Sequence, residues 1–133
     1  MDPKDSVHAA ALWAGLHLIL LLVLAVLVTR QRRKHHVVLG DGGVPGLTQA
    51  GRAFGNATEY VPAALVALAI LAQAGAQPML IHGIGLVLFG GRVLHALGLS
   101  RGDGTGWPRA AGVLATWVAY IAAAAALLFY AIP

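Results

Sequence analysis

An all-α, integral-membrane four-helix bundle is the fold class this sequence predicts, and three observations carry it. Hydrophobic residues make up 59% of the 133 positions and charged residues only 11%, against about 25% charged in a soluble domain. Four apolar segments, at residues 7–30, 48–73, 78–99 and 107–131, are each long enough to cross about 30 Å of hydrocarbon, which takes roughly 20 helical residues. Once they are subtracted, only connections such as "HHVVLGDGG", "QAGAQ" and "SRGDGTG" remain, rich in turn-forming Gly and Asp. Residues 1–133 therefore read as one membrane domain.

The first span, "VHAAALWAGLHLILLLVLAVLV", reads as retained rather than cleaved. Its apolar run of about 22 residues exceeds the h-region of a signal peptide, and no small-x-small site follows. His17 stands alone in it and reads as a packing residue. The second span, "GRAFGNATEYVPAALVALAILAQAG", is less simple. Its purely apolar part, Val61 to Ala72, would cover only about 18 Å as a helix, so residues before Val61 must be recruited. That brings Asn56, Glu59 and Tyr60 into the membrane region and leaves Arg52 at its boundary. At about 100° per residue these four side chains share one face. An acid inside a membrane costs a few kcal/mol, so Glu59 should face protein or a water-filled cavity with a partner, either Arg52 or a base from another span.

The third span, "MLIHGIGLVLFGGRVLHALGL", carries Arg92 and His95 three residues apart toward one end and His82 toward the other, where it reads as packing or interfacial. The fourth, "AAGVLATWVAYIAAAAALLFYAI", follows "GWPR". Trp107 suits the membrane interface there and Pro108 the first helical turn, with Arg109 next. The run Ala122 to Ala126 suits close helix packing through small side chains.

Orientation follows from the bases. Arg30, Arg32, Arg33 and Lys34 follow the first span, and Arg101 and Arg109 follow the third, so those connections are cytoplasmic and both termini lie on the far side. The net charge of +4 is accounted for by this asymmetry, which leaves no case for a nucleic-acid partner. The absence of cysteine excludes disulfides and protein thiol chemistry. No spacing among His8, His35 and His36 argues for a metal. The cytoplasmic ends of the four spans thus gather Arg30 or Arg32, then Arg52 with Asn56 and Glu59, then Arg92 with His95, then Arg109: a cationic pocket containing one acid. Topology anchoring by itself suffices for Arg32, Arg33 and Lys34; it does not account for three polar side chains on one membrane-embedded face.

The residues "RAFGNATEYVP" and "GRVLHALG" resemble the R-x-x-x-N-x-x-E-Y-x-P and R-x-x-H segments of MAPEG, the membrane-associated proteins in eicosanoid and glutathione metabolism, and in particular its short bacterial members. The resemblance covers nearly the whole chain. It implies a left-handed four-helix bundle assembled as a homotrimer, with glutathione as co-substrate between neighbouring subunits near the cytoplasmic face of the bacterial inner membrane. It implies glutathione contacts from Arg52, Asn56, Glu59 and Tyr60, from Arg30 or Arg32, and from Arg92 and His95. Arg109 would stabilise the thiolate, with Arg101 as the other candidate, and the electrophile would be a lipophilic molecule entering from the membrane lipid. Leu99 stands where many eicosanoid-forming members carry a tyrosine.

Three functions are compatible with these residues: an integral-membrane glutathione transferase, with peroxidase activity toward lipid hydroperoxides as an extension; a non-catalytic lipid-binding or scaffolding member of the same family; and a small proton-coupled exporter. Transport normally needs an acid near the midplane, and Glu59 lies toward one end of its span.

Overall fold

The computed structural model describes residues 3–100 and 106–132, and four helices account for nearly all of them: α1 Pro3–His35, α2 Pro45–Gln73, α3 Pro78–Ser100 and α4 Trp107–Tyr130. Each is long and apolar enough to cross a membrane. Prolines stand in the first turns of α2 and α4, where the missing N–H would lack an intrahelical acceptor anyway. α2 continues unbroken through Pro62.

Two helix ends are closed by the same device. After α2, Gly75 takes φ +78°, its N–H donates to the Ala72 carbonyl, and the Ala76 N–H donates to Leu71. This pair of reversed bonds around a left-handed residue is a Schellman cap. After α1 the same two bonds run from His36 to Arg33 and from Val37 to Arg32, but the left-handed residue is His36, at φ 55°. The cap carries α1 past the basic run, so the helix is about 50 Å long at 1.5 Å per residue and overshoots the hydrocarbon thickness.

α2 and α3 occupy the middle of the bundle. α1 and α4 each pack against both of them and, among the described residues, do not touch one another. The α3–α4 seam is the tightest, because Gly91, Gly98 and Gly112 let the backbones meet: a methyl group on Gly112 would sit 2.5 Å from the His95 nitrogen and 2.6 Å from the Gly91 carbonyl oxygen. Two apolar clusters fill the interior. One, toward the α2–α3 turn, is built from Trp13, Leu68, Leu71, Ile81 and Leu88. The other, toward the α1–α2 connection, holds Leu24, Ala53, Ala57, Ala96 and Leu99. Between them lies a polar layer around Arg92. Outward faces of α1 and α4 carry large apolar side chains such as Leu18, Leu22, Ile121 and Leu128, as a lipid-facing surface requires.

Candidate functional site

A cavity of about 670 Å³ opens at the end of the bundle where the α1–α2 connection crosses over. One stripe of α2 forms its floor. Thr48, Arg52, Gly55, Asn56 and Glu59 recur at helical spacing along it, and a side chain on Gly51 or Gly55 would meet nothing within 4 Å, so these glycines keep the stripe open. Arg32 comes from α1, His95 and Leu99 from α3, and Arg109 and Val113 from α4. The connection itself adds Gly40 and Asp41.

Arg52, Glu59 and Arg109 are exposed in the wall, Asn56 and Arg32 half-buried, and His95 buried. Arg52 and Glu59 form no ion pair or hydrogen bond among the described residues. The expectation that Glu59 takes Arg52 or a base from another span as its partner is therefore corrected. The acid faces an open cavity, with no protein cation held against it among the described residues.

The buried base is Arg92, 2% exposed, and its partners are all neutral. Its Nε donates to Thr116 Oγ1 at 2.9 Å, one terminal nitrogen to Asn56 Oδ1 at 2.6 Å, and the other to the Gly112 carbonyl at 3.4 Å. Its guanidinium carbon lies 5.1 Å from the centre of the Tyr60 ring, a cation–π contact that desolvation strengthens. Tyr120 completes the layer by donating its hydroxyl to the Tyr60 carbonyl at 2.5 Å. Arg92 and Tyr60 therefore stand behind the wall rather than in it. His95 is tied to α4 through Nδ1, which donates to the Arg109 carbonyl at 3.2 Å.

Sequence reasoning missed Asp41. Its carboxylate accepts from the Gly43 N–H at 3.1 Å and from the Thr48 hydroxyl at 2.8 Å, stapling the connection to the first turn of α2. The Gly43 bond, followed by the Thr48 bond, holds the carboxyl below its ordinary range. The available signal was an aspartate inside "LGDGG", where such side chains bond the backbone two residues on. Arg32 adds a second tie by donating to the Val38 carbonyl at 3.1 Å. The cavity thus contains three arginines and two carboxylates, the second of which the sequence reading did not include.

A family model of MAPEG matches residues 10–129. The chain belongs to the MAPEG family. Two relatives, the inner membrane protein YecN of Escherichia coli K12 and its counterpart in E. coli O6:H1 strain CFT073, are each 37% identical over 121 residues, covering 91% of this chain and 91% of the relative.

Within this MAPEG protein, the signature residues divide by depth. Arg52, Asn56 and Glu59 share the cavity with Arg32, His95 and Arg109. Arg30 does not line it: two residues from Arg32, it lies about 200° around the helix and points elsewhere. Of the two first-helix candidates only Arg32 reaches the site. Arg101 lies outside the described residues.

Proposed function

We propose that this MAPEG protein is an integral-membrane glutathione transferase, acting on lipophilic electrophiles and, when the electrophile is a lipid hydroperoxide, as a peroxidase. The observation that carries the reading is a single cavity in which Arg32, Arg52 and Arg109 accompany a Glu59 that has no protein partner among the described residues. Glutathione has two carboxylates, an ammonium and a thiol. Arginines fork to the carboxylates, and the free acid takes the ammonium. Arg109 beside the sulfur lowers a thiol pKa of about 8.5 and raises the thiolate fraction at neutral pH. In this reading the protein is a homotrimer of the bacterial inner membrane with the cavity at the cytoplasmic face; the YecN relatives, named as inner membrane proteins, support the choice of membrane.

The test is a glutathione titration of the purified protein, following ultraviolet thiolate absorbance. Wild type should bind and show thiolate, whereas Arg109→Ala should keep most of the binding and lose the thiolate signal and turnover. A second reading, a non-catalytic lipid-binding member, is favoured by one feature: the cavity has an apolar side, with Leu47, Leu99 and Val113 in its wall and leucine in place of the tyrosine. A protein that takes up fatty acid and shows no Arg109-dependent thiolate would select it.

A further inference from the structure

We propose that Arg92 is a positioning residue that sets the hydrogen-bonding polarity of the cavity, by holding the Asn56 carbonyl inward so that Asn56 presents only an amide donor to its ligand. Arg92 does not line the cavity, so it acts through what it touches. A guanidinium has donors and no acceptor. The Asn56 atom facing it at 2.6 Å must therefore be the oxygen. The other branch, Nδ2, has no partner among the described residues and is not sealed from the surface, while Asn56 itself stands in the cavity wall.

Arg92 cannot easily release this carbonyl. Its Nε is held by Thr116 Oγ1, and the Thr116 hydroxyl proton is already given to the Gly112 carbonyl at 2.8 Å, so the lone pairs of that oxygen are left for Arg92. Tyr60 covers the guanidinium face. Three helices thus hold the arginine in one place, and the orientation of Asn56 follows from it.

The wall therefore offers a hydrogen-bond donor at Asn56, and the ligand group that answers it is an acceptor oxygen. The proposal rests on the glutathione reading only for which acceptor that is.

Asn56 is the sole asparagine in the chain, so selective ¹⁵N-asparagine labelling yields one side-chain amide signal. In the ligand-free protein both its protons should exchange readily with water; protons protected from water would overturn the proposal whatever the protein binds. Asn56→Asp keeps an oxygen for Arg92 and removes the donor. Its melting temperature should equal or exceed that of wild type, while glutathione affinity falls by at least about tenfold; affinity within about twofold of wild type would overturn the donor role. Arg92→Lys, which still offers only donors, should retain most of the affinity that Arg92→Met loses. Equal affinity in these two would remove Arg92 as the positioning residue. A wild type that does not bind glutathione overturns the transferase reading instead, and the amide exchange still decides the polarity.

Discussion

Glu59 and Arg52 stand about two turns apart on the cavity stripe of α2, unpaired with each other. An exposed acid of this kind contributes little to folding, so Glu59→Gln should change unliganded stability by less than about 1 kcal/mol. Binding should suffer instead. Losing a charge-assisted bond to an ammonium weakens affinity by about 1.5 to 3 kcal/mol, or roughly ten- to a hundredfold. Paired thermal melts with and without glutathione measure both quantities, and a ligand-induced shift of equal size in the two proteins would take the acid out of ligand recognition. Asp41 carries a pH signature. Its folded pKa lies below the ordinary 3.8, so its staple holds fully above that value and weakens as pH falls below it. The Gly43 amide resonance should therefore move on acidification below about pH 4, and Thr48→Val should shift that titration upward, toward the ordinary carboxyl value.

The helices differ in how well their ends and seams suit their sequences. His36 holds a left-handed conformation at the α1 cap that a glycine adopts without a steric penalty. His36→Gly should accordingly stabilise the protein by about 1 kcal/mol, read as a higher melting temperature in detergent; an unchanged or lower one would mean that the strain is relieved elsewhere. At the α3–α4 seam the expected sign is opposite. Gly112→Ala drives a methyl into the backbone of α3, where no side chain can swing away. It should destabilise by about 1 to 3 kcal/mol. Because Gly112 also accepts from Arg92 and Thr116, displacement of α4 should weaken ligand binding as well. The proline and glycine punctuation of the α2–α3 turn was readable in "QAGAQP". The left-handed histidine was not, because its neighbours carry no turn-forming signal.

For the whole molecule, the long outward faces of α1 and α4 leave a large apolar surface for lipid or for further copies of the chain. The functional reading places the cavity beside a neighbouring subunit, so native mass spectrometry in mild detergent should show trimers; monomers or dimers alone would contradict it. The charge asymmetry predicts cytoplasmic bases and both termini on the far side. Cysteines placed at His8 and Ile132 should react with an impermeant thiol reagent on intact cells, whereas one at Arg33 should not. The reverse pattern would invert the topology and move the cavity to the other face.

Hydropathy and length were enough to read four membrane-length helices from the chain, because the energy of putting a side chain in hydrocarbon depends mainly on that side chain. The need for residues before Val61 likewise identified the polar face of α2, since helical periodicity is a local property. Which of those polar residues line the cavity and which meet one another depended on packing. Arg92 and Arg52 look alike in sequence, yet one is sealed behind Asn56 and the other opens to the cavity. That difference arises because Gly91, Gly98 and Gly112 bring α4 close enough to α3 for Thr116 and the Gly112 carbonyl to receive the guanidinium. Asp41 belongs to the site because the connection after α1 folds back over the end of α2, a contact between residues seven apart that neither hydropathy nor helical periodicity encodes.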